Sequence, residues 1–206
     1  HTCFENLPFI EEPRCSVCGR HQEGAHRCSE CEDVDHVFTQ AISVFEYEPP
    51  ISDIIHKFKY RSYTGLAEPM AMLMIEAIEK IGWVFDSIIP VPLHAKRLQL
   101  RGYNQASYLA HSMGKLIGGI EVLDTALVRR RNTPSQIGMD RVGRMWNLYN
   151  AFEVRNRSLI EGKTILLVDD VLTTGSTVDN CSSALLKAGA KAVYVSTFAV
   201  SVLHNI

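Results

Sequence analysis

The chain of 206 residues carries a formal net charge of −2 and is 46% hydrophobic, which suits one sizeable domain with a small appendage. The net charge argues against a globally basic coat for nucleic acid, although it says nothing about local patches. No stretch approaches the roughly 20 apolar residues of a membrane span, and the polar first residues do not resemble a signal peptide. We therefore expect a cytoplasmic protein with no membrane insertion.

Hydrophobic periodicity and helix-ending residues predict the elements of the first half of the chain. In order, these are a strand over 37–47, helices over 52–61 and 66–81, a strand over 86–91 and a helix over 104–116. Two prolines, Pro49 and Pro50, end the first strand, and Ser52 is the predicted cap of the helix that follows. A basic loop is predicted between the second strand and the third helix.

In the second half, a continuous apolar run identifies the centre of a sheet. The predicted elements are a strand over 125–131, a short helical stretch near 140–148, a strand over 164–168, a helix over 177–187 and a strand over 192–199. Residues 164–168 are apolar on both faces, as in a parallel strand that helices cover on both sides. The alternation of strands and helices predicts an α/β fold with a doubly wound, mainly parallel sheet.

Two Cys-x-x-Cys pairs mark a small cysteine module at the start of the chain. Two such knuckles can close a tetrahedron of thiolates around zinc, and the pairing favours metal binding in a reducing compartment over disulfides. Four sulfurs leave no open position, so we expect structural zinc, whose binding supplies on the order of 10 kcal/mol toward folding. His21 and His26 could replace a thiolate, but four thiolates are the simpler set. The predicted ligands are Cys15, Cys18, Cys28 and Cys31.

An acidic pair followed by small hydroxylated residues gives the strongest functional signal. Asp169 and Asp170 come at the predicted carboxyl end of an apolar strand, where open α/β sheets bind ligands. Residues 173–177 (Thr-Thr-Gly-Ser-Thr) then offer backbone N–H groups and hydroxyls at a helix N-terminus, which suits a phosphate. The loop has no Walker lysine, so it is not a nucleoside-triphosphate P-loop. Carboxylates beside a phosphate site predict a sugar phosphate, with the acids accepting hydrogen bonds from ribose hydroxyls.

Residues 168–177 resemble the phosphoribosyl-pyrophosphate (PRPP) binding motif of type I phosphoribosyltransferases. With the cysteine pairs, residues 89–92 and 101–105 are similar to stretches of the ComF family, which is named for DNA-uptake competence and includes ComFC-like and GntX-like proteins. The resemblance implies a type I phosphoribosyltransferase fold over 36–206 behind a zinc-binding module over 1–35, with PRPP bound together with Mg²⁺ and Asp169 and Asp170 as the catalytic pair. The implied PRPP-binding residues of the motif are Asp169, Asp170, Val171, Leu172, Thr173, Thr174, Gly175, Ser176 and Thr177.

Two groups of cations can complete such a site. Lys96, Arg97 and Arg101 follow the strand at 86–91 and can hold a pyrophosphate by charge-assisted hydrogen bonds. The resemblance implies the same role, and a solvated basic turn is the alternative, above all for Lys96. The second group lies in a polar segment where the resemblance implies a mobile hood over the reacting centre; a single-stranded nucleic-acid track is the other interpretation. The residues assigned to the hood, acceptor or DNA side are Arg130, Arg131, Thr133, Gln136 and Arg141.

Residues 56–61 (His-Lys-Phe-Lys-Tyr-Arg) interleave cations with aromatics, the composition that stacks on bases. On a helix, however, Phe58 should pack inward while Lys57, Lys59 and Arg61 face water.

The motifs together leave three hypotheses for the function. The first is a phosphoribosyltransferase with an unidentified acceptor. The second, which the family name implies, is a competence protein that handles single-stranded DNA together with other competence proteins. The third is a PRPP or nucleotide sensor without turnover. We favour the first.

Overall fold

Six helices and seven strands make up the regular structure over the residues that the computed structural model describes, which are 7–24, 26–130 and 151–201. The helices α1 to α6 span Ser29–Glu32, Ile51–Tyr60, Ala67–Ile81, Ala95–Arg101, Gln105–Ile117 and Ser176–Lys187. The strands β1 to β7 span Gln40–Glu46, Ser87–Pro90, Glu121–Val122, Leu127–Arg129, Phe152–Val154, Thr164–Leu172 and Ala192–Val200. Short 3₁₀ turns cover Thr64–Leu66 and Arg157–Leu159.

Five of the strands form one parallel sheet in the order β1-β7-β6-β2-β3. The central strand β6 pairs with β7 on one side and with β2 on the other. Its residues Ile165, Leu166, Leu167 and Val168 are fully buried, because alternate side chains point to opposite faces and helices cover both. β4 and β5 form a separate antiparallel ribbon. The prediction of a doubly wound, mainly parallel sheet is confirmed.

Each face of the sheet has its own apolar core. On one face α2, α3 and α5 pack through a cluster that contains Phe45, Met74 and Leu109. On the other face lie α6, with Cys181 and Leu185, and the four cysteines of the cysteine module. The helices turn their apolar sides inward, as amphipathic spacing requires. The central strand therefore ends between two packed layers.

The central strand is longer than predicted, and this changes the setting of the acidic pair. β6 continues beyond Val168 because its pairing with β7 extends to Leu172, opposite Val200. Asp169 and Asp170 therefore lie inside the strand, with their side chains directed to opposite faces of the sheet. The expectation of two acids at the very end of the strand is wrong.

Two further boundaries differ from the prediction. The helix α2 begins at Ile51 directly after Pro50, so Ser52 is not its cap. The predicted basic loop contains α4, whose first turn is capped by the side chain of His94. The helical stretch predicted near 140–148 lies outside the described residues. None of the helices in the described ranges combines the length and the apolar character needed to cross a bilayer.

The cysteine module is attached to the edge of the sheet. The N–H of Ala41 in β1 donates to the carbonyl oxygen of Val17 at 2.7 Å. Beside it, Gly19 has a φ of +70°, and a Cβ at this position would lie only 2.6 Å from the carbonyl oxygen of Ala41. Glycine is required for both reasons. The first cysteine knuckle is thereby held directly against β1.

Candidate functional site

A cavity of about 450 Å³ opens where β6 and β2 end at the same edge of the sheet. The chain leaves β6 toward α6 and leaves β2 toward α4, and such a divergence creates the crevice in which open α/β sheets bind ligands. The cavity brings together the predicted acids, two predicted pyrophosphate cations and both ends of the predicted phosphate loop. Its lining includes Tyr47, Lys59, Tyr60, Arg97, Arg101, Gln105, Arg129, Asp169, Asp170, Val171, Thr173 and Thr177.

Asp170 is held by side chains from two helices. Lys59 of α2 places its Nζ 2.9 Å from Oδ1, and Gln105 of α5 donates from Nε2 to Oδ2 at 3.1 Å. Because Asp170 is only 4% exposed, these partners replace the water that its charge loses on burial. The prediction that Lys59 faces water is wrong, whereas Phe58 packs inward as predicted.

Asp169 titrates near neutral pH. Burial raises its pKa to about 7, and the carboxylate of Asp170 adds to the effect, while Lys59 acts in the opposite direction. One of its oxygens accepts the N–H of Asp170 at 2.8 Å. At Lys59 burial lowers the pKa, but the carboxylate of Asp170, together with Asp169 and Tyr47, acts in the opposite direction, and the net pKa is raised. The site therefore contains one ionised pair and a second acid that can exchange a proton near pH 7.

The phosphate loop, residues 173–177, joins β6 to α6 through a glycine in the left-handed conformation. Gly175 has a φ of +78° and immediately precedes the helix. The first N–H groups of any helix have no intrahelical partner, and such groups bind phosphate. The hydroxyls of Thr174 and Ser176 lie 2.9 Å apart and line a separate cavity of about 210 Å³, whereas Thr173 and Thr177 line the main cavity.

Cations and an aromatic ring form another side of the main cavity, and we call Lys59, Tyr60, Arg97 and Arg101 the basic wall. The guanidinium of Arg101 lies 4.9 Å from the centre of the Tyr60 ring, a cation–π distance. Lys96, which was predicted to join Arg97 and Arg101, is exposed on α4 and does not belong to the cavity lining. The two arginines thus remain the described candidates for a pyrophosphate contact.

The basic wall also borders a third cavity, of about 400 Å³. Tyr60 is 62% exposed, Tyr103 lines the same cavity, and the ring of His56 lies 4.9 Å from that of Tyr60. Exposed aromatic rings beside cations suit stacking on planar groups. A basic and aromatic surface therefore continues outward from the main cavity.

Of the residues assigned to a hood or DNA side, Arg130 belongs to the described part of the chain. Arg130 lies just beyond β4 and forms an ion pair with Glu153 of β5, so it does not enter the main cavity lining. Its neighbour in β4, Arg129, does line the cavity, and burial lowers its pKa. The other assigned residues lie outside the described ranges: Arg131, Thr133, Gln136 and Arg141.

Sequence reasoning did not place Tyr47, Tyr60 or Gln105 in the site, and it assigned Lys59 the wrong surroundings. These residues come from separate elements, so no local spacing connects them with the acidic pair. The alternation of cations and aromatics at 56–61 was the available signal for Tyr60. Gln105 belongs to a stretch that supported the family resemblance, but its bond to Asp170 depends on how α5 packs against β6.

The four predicted cysteines form one cluster. All four are buried, and their Sγ atoms lie within 4.8 Å of one another. The Sγ atoms of Cys18 and Cys28 are 3.5 Å apart, and the N–H groups of Val17 and Cys28 donate to Sγ of Cys15 at 3.4 and 3.3 Å. Tetrahedral zinc with Zn–S bonds of about 2.3 Å separates its sulfurs by roughly 3.8 Å. The cluster therefore has the dimensions to hold a metal ion.

Charge in the cluster also favours a cation. A hydrogen bond with Cys31 is the main reason why the pKa of Cys18 is lowered to about 4. Burial raises the pKa of Cys28 to about 11, with the charge of Cys18 contributing, and the bond with Cys18 raises the pKa of Cys31. One thiolate thus suppresses ionisation of its neighbours, and a bound cation would allow all four to be thiolates.

Comparison with known proteins finds a matching family model, two similar relatives and a similar solved structure. A family model described as phosphoribosyl transferase domain matches residues 102–204, a range that contains the acidic pair and the phosphate loop. The chain is 30% identical over 190 residues to competence protein F of Haemophilus influenzae, which covers 89% of this chain and 82% of that protein. It is 32% identical over 187 residues to DNA utilization protein YhgH of Escherichia coli, covering 88% and 81%. Among solved structures, the glutamine PRPP amidotransferase from B. subtilis complexed with ADP and GMP is 18% identical with a TM-score of 0.45, over 68% of this chain and 29% of that one.

Proposed function

The chain belongs to the competence protein F family and carries a phosphoribosyl transferase domain, and we propose that its main cavity binds PRPP with Mg²⁺ and transfers the phosphoribosyl group to an acceptor. The observation that carries the proposal is the convergence of the acidic pair, both ends of the phosphate loop and the basic wall on one cavity of about 450 Å³. The names of the two relatives, a competence protein and a DNA utilization protein, extend the proposal to a role in DNA uptake or DNA use, and we propose the cytoplasm as its location.

Each chemical part of PRPP has a suitable set of groups in this cavity. The N–H groups at the start of α6 and the hydroxyls of residues 173–177 suit the 5′-phosphate. The carboxylates of Asp169 and Asp170 suit the ribose hydroxyls, which donate hydrogen bonds to them. Arg97 and Arg101 suit the pyrophosphate, because a planar guanidinium binds phosphate oxygens in pairs. The two acids, the two arginines, Thr173 and Thr177 all line the cavity, and residues 174–176 lie between these two threonines in the chain.

The transfer step would replace one bond at C1 of the ribose by another. A bond forms from the acceptor nucleophile to C1, and the C1–O bond to pyrophosphate breaks, with its electron pair leaving on pyrophosphate. The acceptor's proton passes to solvent or to a general base. Because positive charge develops at the ribose and negative charge on the leaving group, the acids and arginines stabilise the transition state from opposite ends.

Asp169 and Asp170 differ in how well they can coordinate Mg²⁺. This ion is usually bound by one or two carboxylates, substrate phosphates and water. Both oxygens of Asp170 already have protein partners, Lys59 and Gln105. Asp169 uses one oxygen for the N–H of its neighbour, and its other oxygen is the better donor. We assign Asp169 to Mg²⁺–PRPP, where the ion would neutralise charge on the pyrophosphate.

Thermal-shift screening and calorimetry test the proposal, because a ligand that binds the folded state raises the melting temperature. PRPP with Mg²⁺ should give a larger shift than nucleotides or single-stranded DNA. The double variant Asp169→Asn/Asp170→Asn should lose the shift, and Asp53→Asn, which changes an exposed acid of α2, should keep it. Absence of any shift at millimolar PRPP would argue against the phosphoribosyl assignment.

For the cysteine cluster we propose one structural zinc per chain, held by all four thiolates in a module over residues 1–35. The support is the buried set of sulfurs within 4.8 Å of one another. Elemental analysis should find one zinc per chain in the unmodified protein and in Cys181→Ser, a buried cysteine of α6. Cys31→Ser should lose most of the metal. Purified protein without zinc would contradict the assignment.

Single-stranded DNA is the second candidate ligand, and the exposed rings beside the basic wall favour it. Bases stack on such rings at about 1–3 kcal/mol each, so Tyr60→Ala should weaken binding of labelled oligothymidine roughly tenfold. Tyr108→Ala is the control, because Tyr108 is exposed on α5 and lines neither the main nor the third cavity. Affinity should fall with salt. Binding that is independent of salt, or DNA that binds PRPP-saturated protein equally well, would place DNA elsewhere.

A further inference from the structure

A buried arginine of the cysteine module reaches the phosphate loop. Arg20 is 7% exposed, and its guanidinium donates to the carbonyl oxygen of Thr173 and, at 3.2 Å, to that of Ser201. Burying a guanidinium is costly unless it is hydrogen-bonded, and one of these acceptors belongs to the loop itself. The backbone of Arg20 is part of the first knuckle, because its carbonyl oxygen accepts the N–H of Cys15 at 2.8 Å.

The segment directly after the module holds the other end of the loop. The His36 ring lies against Gly175, where an added Cβ would be 2.7 Å from Cε1. Its Nδ1 lies 2.5 Å from Oδ2 of Asp179 in the first turn of α6, and the N–H of Val37 donates to Oδ1 of Asp179 at 3.0 Å. Both ends of residues 173–177 are therefore fixed from outside the strand and helix that they join.

These contacts bear on phosphate binding because of the direction of peptide groups. A phosphate is bound by converging N–H groups, and it is repelled by a carbonyl oxygen that turns toward it. Arg20 fixes the carbonyl of Thr173 from the module side, while His36 and Asp179 fix the start of α6. The position of Arg20 depends in turn on a knuckle that two cysteine pairs close.

We propose that the cysteine module is a support of the phosphate site, with Arg20 and His36 as positioning residues, so that metal in the cysteine cluster sets the affinity for the phosphate end of the ligand. The identity of that ligand rests on the proposed function. The mechanical coupling between the cysteine cluster and the phosphate loop does not depend on the identity of the ligand, and it has its own test.

Amide hydrogen exchange at Val37 and Asp179, whose N–H groups donate to Oδ1 of Asp179 and to the carbonyl oxygen of Gly175 in the loop, measures the coupling without any ligand. Arg20→Met and metal-stripped protein should exchange at these amides at least tenfold faster, while β6 and β7 stay protected. Arg14→Met is the matched control, because Arg14 is a module arginine that donates to the carbonyl oxygens of Ile10 and Ser43, away from the loop. Arg20→Lys should restore part of the protection. Unchanged exchange at these two amides, or loss of protection spread evenly over the sheet, would overturn the proposal.

Calorimetry with partial ligands then separates positioning from general damage. Arg20→Met should weaken ribose 5-phosphate and PRPP about tenfold and leave inorganic pyrophosphate, which needs only the basic wall, unaffected. If Arg20→Met does not fold, His36→Gln provides the milder change, with the same split expected. Equal weakening of all three ligands would contradict a positioning role. Failure of the unmodified protein to bind PRPP would remove the proposed function but leave the exchange experiment decisive.

Discussion

The phosphate loop and the basic wall of the same cavity are constructed in opposite ways. The loop is continuous in sequence, between β6 and α6, and its shape depends on backbone geometry, above all on the positive φ of Gly175. The wall is assembled from α2 and α4, and its side chains already have protein partners: Lys59 contacts Asp170, and Arg101 contacts Tyr60. We therefore expect damage to the loop to act through shape, and damage to the wall to act through charge.

The largest effect is expected at Asp170, where the two regions meet. Asp170→Asn removes a carboxylate from the ribose site and leaves the ammonium of Lys59 without its ionic partner. The free energy of unfolding should fall by about 3 kcal/mol, and PRPP affinity should fall about 100-fold, equivalent to about 2.7 kcal/mol. Urea unfolding and calorimetry measure the two quantities.

Combining this change with Lys59→Met makes the test specific. Removing both charges should restore most of the stability, because no uncompensated charge stays buried, but it should not restore PRPP affinity. If Asp170→Asn is as stable as the unmodified protein, the ion pair between Lys59 and Asp170 at 2.9 Å contributes little to the free energy of unfolding.

Gly175→Ala should give the next largest effect, through shape alone. The residue has a φ of +78°, and a Cβ would lie 2.7 Å from the His36 ring. Strain of about 2 kcal/mol corresponds to about a 30-fold loss of affinity for ribose 5-phosphate. Gly119→Ala is the control, because Gly119 has a φ of +72° with no atom near its Cβ position. Equal ligand affinities in both variants would mean that loop shape is not limiting.

Arg101→Met changes the basic wall and should act by charge. PRPP and pyrophosphate should bind about tenfold more weakly, in line with about 1.5 kcal/mol for a hydrogen bond to a charged group, while ribose 5-phosphate is unaffected. The difference should shrink as salt increases. Lys96→Met removes an exposed cation of the same helix and should change the affinity for PRPP and pyrophosphate little. A comparable loss of affinity in Lys96→Met would show that Arg101 acts through long-range electrostatics and not through a contact with the ligand.

The smallest effect is a pH dependence at Asp169. Its pKa of about 7 lies above the value of about 3.9 in an unfolded chain, so its contribution to stability is fully present below about pH 4 and is lost as pH rises through 7. PRPP binding has the opposite sign, because the ionised form accepts the ribose hydroxyls, and affinity should rise severalfold between pH 6 and 8. Calorimetry on Asp169→Asn should show only the titration of the ligand phosphates, near pH 6. An identical profile in both proteins would exclude Asp169.

The sequence predicted the parts of the site that are local in the chain. The strand before the acidic pair, the loop of small residues and the cysteine pairs all have short-range spacing that periodicity and ligand chemistry can interpret. The extension of β6 past Val168 was missed because it depends on pairing with β7, and two adjacent acids interrupt the apolar pattern. The strands β3 and β5 were missed because two or three residues show no periodicity.

The basic wall could not be predicted for a different reason. Lys59 follows the buried Phe58 on α2, and helix periodicity alone allowed it to face water. Its actual direction is decided by the carboxylate of Asp170, which belongs to a strand far along the sequence and lies 2.9 Å from its ammonium. Long-range charge pairing of this kind has no signature in local spacing.

Pairing between the first and last strands of the sheet has a consequence for biosynthesis. β1 lies at the edge, and its neighbour in the sheet is β7, with Gln40 opposite Tyr194. A nascent chain therefore presents β1 long before its partner leaves the ribosome, and contacts between such distant segments form slowly. Until β7 emerges, β1 lacks its hydrogen-bonding neighbour and the ring of Phe45 lacks its contact with Phe198 of β7, a state that favours aggregation. Release of a truncated product that ends before β7 should yield insoluble protein even though the acidic pair and the whole phosphate loop have been made.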